Sequence, residues 1–220
     1  MRLPIRVHRA RSGPEEIRVI RPASPPTRTV LVDHDRHLHV YLDQAGARLL
    51  GGLWLLAARS ARSLIHLPLR GGPRPAAHGE PGRRLDLVLL HHSRQFRPSR
   101  WRRVRAKLDT GLPQTASLPE AARLGEVAVD HAARHHRENR DRFRQRIHAE
   151  TLFLIGSAPV FRETAGRFLD VAEHGPRHAS THPGRPGLRT AFHSTDGTLA
   201  DGREIHVEYC AEWEPSGSTG

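Results

Sequence analysis

The chain has 220 residues, of which 37% are hydrophobic and 26% charged, with a formal net charge of +12. This length suits one domain or two small ones, and the apolar share lies below the roughly 45–50% usual for soluble domains, so some of the chain is expected to lie outside the core. The longest apolar run, 49–58, is broken by Gly51 and Gly52 and excludes a membrane-spanning helix; 1–12 has no apolar leader core, and a lone Cys210 allows no internal disulfide, so reducing cytoplasm is the expected compartment.

In chain order, residues 1–27 are rich in arginine and close on Ala23-Ser24-Pro25-Pro26, which reads as a basic flexible arm. A single domain is expected over 28–213, with a disordered tail over 214–220. Val30 and Val32 mark a first strand, and the alternation of 37–42 a second, with His37, His39 and Tyr41 on the face opposite Leu38, Val40 and Leu42. Leu49, Leu50, Leu53, Trp54 and Ala57 predict a buried helix over 44–60, in which Gly51-Gly52 signals either close packing or a break. Strands are expected at 63–69 and 85–90, separated by a loop near 70–84.

Ser99 suits an N-cap, and Trp101, Val104 and Leu108 form an apolar ridge on a cationic helix. Ser117 and Glu120 have capping-box spacing, predicting a longer helix that reaches, with breaks, to about Ile147. A buried strand at 151–155 turns through Gly156-Ser157 into a helix carrying Phe161, Ala165, Phe168 and Leu169, closed by Gly175-Pro176 and followed by a loop near 176–187. Two last strands fall in 188–195 and 203–213. The expected fold is α+β: a two-layer mixed, largely antiparallel sheet with helices packed on one face.

Charge is the strongest functional signal. Arg94, Arg97, Arg100, Arg102, Arg103, Arg105 and Lys107 follow one another without an acid, with Phe96 and Trp101 interleaved, and a second basic run holds Arg137, Arg140 and Arg144. Like charges at helical spacing repel by several tenths of a kcal/mol per pair unless an anion lies close. Together with the net charge they point to a partner that is nucleic acid or another polyanion, held through phosphates, with an acidic protein partner as the alternative. Phe96 or Trp101 could stack on a base, although the ridge favours Trp101 as core.

Seventeen histidines raise the question of metal. His37 with His39 on a strand, and His131 with His135 on a helix, have ligand spacing, but the solvated-face reading is preferred and no metal or other cofactor is expected. The enzyme alternative uses His91 with Ser93 and His193 with Thr195, two His-x-Ser/Thr elements ending different strands, arranged as two-histidine phosphoesterases arrange a general acid, a general base and phosphate-binding hydroxyls. Their likeness to that family is confined to these short elements, and Arg94 and Asp196 stand where it has apolar residues. Cys210 is read as packing, and Gly156-Ser157 as a helix cap in preference to an anion site. No phosphate-binding glycine loop occurs.

Overall fold

A computed structural model describes residues 1–76, 82–118, 136, 138, 141–182 and 185–214. Its centre is a mixed, mostly antiparallel sheet of 11 strands. In chain order these are β1 (Arg2–Ser12), β2 (Glu15–Pro22), β3 (Thr29–Asp33), β4 (Leu38–Leu42), β5 (Ser63–Leu67), β6 (Arg83–His91), β7 (Leu112–Ser117), β8 (Arg144–His148), β9 (Thr151–Gly156), β10 (Arg189–Phe192) and β11 (Ile205–Tyr209). The helices are α1 (Gln44–Arg59), α2 (Trp101–Ala106) and α3 (Ala158–Thr181), with a 3-10 turn at Pro98–Arg100 leading into α2. The strand order is β10-β11-β4-β3-β6-β5-β2-β1-β7, and β9 joins β6 in parallel and carries β8 on its other edge.

Strand alternation divides the apolar residues between the two sides. Leu31, Val40, Leu85, Leu87, Leu89, Leu152, Leu154, Ile205 and Val207 pack in one core with Trp54 of α1 and Phe161 and Phe168 of α3. Ile17, Val19, Leu64, Val88, Leu90 and Phe153 point the other way, into a second core with Phe96 and with Trp101 and Val104 of α2. Helices therefore cover both sides, and the expected one-sided, two-layer packing is corrected to α1 and α3 on one side and the short α2 on the other. The apolar ridge of α2 needs a core of its own, because α1 and α3 already fill the first one.

The segment 1–27, expected to be a flexible arm, is instead built into the sheet. β1 and β2 pair antiparallel, β2 pairs with β5 and β1 with β7. The reason is alternation: Leu3, Ile5 and Val7 are buried between exposed Arg2, Pro4 and Arg6. Gly13, at φ 68, opens the two-residue turn that places Ser12 opposite Glu15.

The helix expected from Ser117 to Ile147 is also corrected at both ends, since Ser117 closes β7 and 144–147 belong to β8. The intervening 119–135, with 137, 139 and 140, lies outside the described residues. The helix expected to stop at Gly175-Pro176 continues through Pro176 to Thr181, leaving less of the loop near 176–187. Gly51-Gly52 resolves as close packing, for a Cβ at Gly51 would stand 2.8 Å from Leu169 of α3. Ser157 caps α3, accepting from the Val160 N–H at 3.4 Å.

Candidate functional site

Register shows where the charges lie. Paired residues on neighbouring strands share a side of the sheet. Arg144 faces Ile155 and Arg146 faces Phe153, so both stand on the α2 side with the second core. Arg6, opposite Arg21, lies on the same side two residues before His8, as Ala10 of that core is two residues after it. The exposed Arg97, Arg102, Arg103 and Lys107 surround α2. One side of the sheet thus carries a broad cationic surface from β8 across α2 to β1, while Arg9 and Arg18 project from the other.

Part of this charge is met internally. Arg94 and Arg100 share Glu15 at 2.9 and 2.8 Å, Arg146 reaches Asp201 at 3.2 Å, and Arg105 reaches Asp86 at 3.1 Å. Arg97, Arg102, Arg103, Lys107 and Arg144 have no acid within salt-bridge distance among the described residues. Phe96 and Trp101 are buried, which corrects the expectation that either could stack on a base. What α2 offers outward is guanidinium and ammonium.

Beneath α2 lies a buried polar group. Asp86 accepts from the Leu69 and Arg70 backbone N–H groups at 3.0 and 3.3 Å and from Arg70 Nε at 3.1 Å. His66, also buried, accepts from Arg21 Nε at Nδ1 (2.9 Å) and so carries its proton on Nε2, 3.8 Å from Asp86 Oδ2. Burial works against ionisation of Asp86, but His66, the Arg70 charge and the Arg70 N–H outweigh it and hold the carboxyl below its usual range. Burial lowers His66 and keeps it neutral. Burial also lowers the pKa of Arg21, with Asp86 opposing and Arg105 adding to the effect.

Next to this group a recess of about 250 Å³ opens among Arg6, His8, Arg21, Pro22, Ala23, Pro25 and Pro68. Two arginines directly opposite on paired strands repel each other unless something negative lies between them. Arg6 is turned towards the carbonyls of Thr110 and Gly111, both at 3.3 Å. Buried His8 donates from Nδ1 to the Asp109 carbonyl at 2.9 Å, beneath Gly111, where a Cβ would stand 2.6 Å from the ring.

The phosphoesterase pairing is not assembled. His193 follows the row in which Phe192, Ile205, Leu38, Asp33 and Arg83 stand side by side, at the start of β6. His91 is the last residue of that nine-residue strand, on the order of 25 Å further along at roughly 3.3 Å per residue. Each histidine is engaged locally: His91 Nδ1 lies 2.8 Å from Ser93 Oγ, and His193 Nδ1 lies 3.0 Å from Glu204, with Thr195 in the exposed turn beyond. Cys210 is buried against Val30, Val32 and Tyr41, and burial and then the Glu208 charge push its thiol up to about 12, removing it as a nucleophile. Arg137, Arg140, His131 and His135 lie outside the described residues.

The histidines at the β10-β11-β4-β3 end are arranged differently from the solvated face expected of them. His39 is 5% exposed and Tyr41 is 4% exposed, with their rings stacked at 3.9 Å. The tight turn from β3 into β4 brings His34 beside His37 and His39, so that one ligand nitrogen from each lies within 4.8 Å of the others. His206, opposite His39 in register, places its ring 5.0 Å from His37 and 5.6 Å from His39. Fully buried Glu208 reaches His39 Nε2 at 3.1 Å, and accepts from Arg189 Nε at 2.8 Å and from the Gly187 N–H at 3.1 Å. His34 and His206 lie outside the ligand pairs that strand or helix spacing picks out, although His34-x-x-His37-x-His39 across a four-residue turn is a usable signal.

Compared with known proteins, the chain matches no family model, no curated protein and no solved structure, so its own geometry carries the functional argument.

Proposed function

We propose that the protein binds nucleic acid through its phosphate backbone, using the α2 side of the sheet. The observation that carries this reading is the set Arg97, Arg102, Arg103, Lys107 and Arg144: exposed, on one side of the sheet, and without acidic partners among the described residues. Neighbouring guanidinium groups raise each other's energy in water, and a phosphate array relieves that repulsion while releasing counterions. With Phe96 and Trp101 buried, the α2 surface binds through charge and shape rather than by stacking these two rings on bases.

The test is a fluorescence-anisotropy titration of the full chain with a mixed-sequence DNA duplex and an RNA of equal length, repeated from low to physiological salt. A log-linear fall in affinity with salt, similar for different sequences, is the expected result. Failure to bind either nucleic acid, or affinity indifferent to salt, overturns it. Binding to an acidic polypeptide under conditions where both nucleic acids fail would reassign the same surface to an acidic protein partner.

A further inference from the structure

We propose that His34, His37 and His39 form a binding site for one divalent transition-metal ion of the zinc class, bordered by His206. The inference is independent of nucleic-acid binding.

Three imidazoles with mutually close nitrogens are a donor set suited to zinc, copper or nickel ions, and three protein ligands leave one position open. At metal–nitrogen bonds of 2.0–2.1 Å, tetrahedral ligand nitrogens stand roughly 3.3 Å apart, so a set within 4.8 Å closes on an ion by movements on the order of 1 Å. His34 and His37 are half-buried and sit in or beside the turn, off the strand ladder that fixes His39. His39 is fixed: strand-borne, buried, and stacked on Tyr41.

The surroundings argue against an ordinary polar surface. A fully buried carboxylate, Glu208, stands at His39 Nε2, and Arg189 and a backbone N–H hold it in place. Carboxylates beside metal-bound imidazoles orient the ring and strengthen it as a donor. The turn is braced as well. Asp33, also buried, accepts from the Asp35 N–H at 3.1 Å and pairs with Arg83 and Arg203, and this holds Asp35 in its left-handed conformation at φ 63. The turn backbone that carries His34 and His37 is thereby held before any ion arrives, which lowers the cost of binding one. Three protein ligands leave a position for solvent or a small anionic ligand to complete the shell.

The experiment titrates untagged full-length protein with Co²⁺, following the visible d–d bands, and then displaces the ion with Zn²⁺. One equivalent per chain is expected, with tetrahedral-type absorption. His34→Ala and His37→Ala should each weaken binding at least tenfold with an unchanged far-ultraviolet circular dichroism spectrum, because both residues are half-buried and neither fills a core. The chain has another close pair, His178 and His182, with stacked rings 4.7 Å apart. A His178→Ala/His182→Ala variant should bind Co²⁺ as the parent does. The proposal is overturned if the parent takes up no Co²⁺, if His34→Ala and His37→Ala bind unchanged, or if only the His178/His182 variant loses the ion.

Discussion

The side-chain amide of Gln44, the first residue of α1, donates to the backbone carbonyl of Ala172 in α3 at 2.9 Å. In an uninterrupted helix that carbonyl would accept from the N–H four residues on, but residue 176 is proline and has none. Gln44 thus takes the place of the missing donor and allows α3 to run past Pro176. Gln44→Leu should destabilise the fold by about 1–2 kcal/mol, the cost of a buried acceptor without a partner. In a Pro176→Ala background the helix supplies its own N–H, and the same change should cost much less. Denaturant melts of the four proteins read this as a coupling energy, and equal losses in both backgrounds would mean that Gln44 does not substitute for the missing bond.

Two glycines of the same helix should respond to alanine with opposite signs. Nothing stands within 4 Å of a Cβ at Gly166, so Gly166→Ala should stabilise by roughly 0.5–1 kcal/mol through helix propensity alone. At Gly175 the added carbon would lie 2.5 Å from the Tyr209 ring, which belongs to β11 and has a strand behind it. Gly175→Ala should therefore lose stability despite the same gain in propensity. Thermal melts of the two single variants provide the comparison, and matching shifts would refute it.

How much of this was legible in the sequence depended on the type of signal. The long apolar runs of α1, β6 and β9, and the ridge of Trp101 and Val104, were readable because burial demands them locally. β1 was misread because its Leu3, Ile5 and Val7 alternate with Arg2, Pro4 and Arg6, and the charge drew more notice than the period of two. β8 was missed for a different reason. Its turn into β9 uses Ala149 at φ 48 and Glu150 at φ 56, a conformation usually announced by Asn-Gly or Asp-Gly. The three local histidines of the cluster follow a readable spacing, His34-x-x-His37-x-His39, but strand alternation alone assigns His37 and His39 to solvent; what buries His39 and brings His206 beside them is the parallel pairing of β11 with β4, a long-range choice that no local pattern encodes.

The buried group beneath α2 makes stability sensitive to acid. His66 has a folded pKa below its usual value of about 6.5, so below that pH the unfolded chain takes up a proton the folded one resists, and stability falls as pH falls. Asp86 is also lowered in the fold, so its contribution is complete above an unfolded value of about 3.9 and is lost as pH falls towards the folded one. Acid unfolding should therefore begin below about pH 6.5 and steepen below about pH 4. Asp86→Asn should cost on the order of 3 kcal/mol near neutrality, by leaving Arg105 without its carboxylate and Arg70 with Glu150 alone, and should flatten the portion below pH 4. Urea midpoints collected from pH 7 to pH 3 test both stages. An unchanged slope below pH 4 in the variant would remove Asp86 from the account.

The cationic surface makes a prediction about location that net charge alone does not. Arg102 and Arg103 lie on the α2 side, exposed and without acidic partners among the described residues, whereas Arg18 and Arg48 are exposed on the side of α1 and α3. Each phosphate contact contributes about 0.9 to the slope of log affinity against log salt on duplex DNA. Arg102→Gln/Arg103→Gln should therefore reduce the slope by roughly 1–2 units and weaken binding at low salt alike for all sequences. Arg18→Gln/Arg48→Gln removes the same charge from the opposite side and should leave the slope nearly unchanged. Folding stability should move by no more than about 0.5 kcal/mol in either pair, since all four side chains are exposed. If the two pairs flatten the slope equally, the protein attracts nucleic acid only through its overall charge, and the α2 side has no special part in binding.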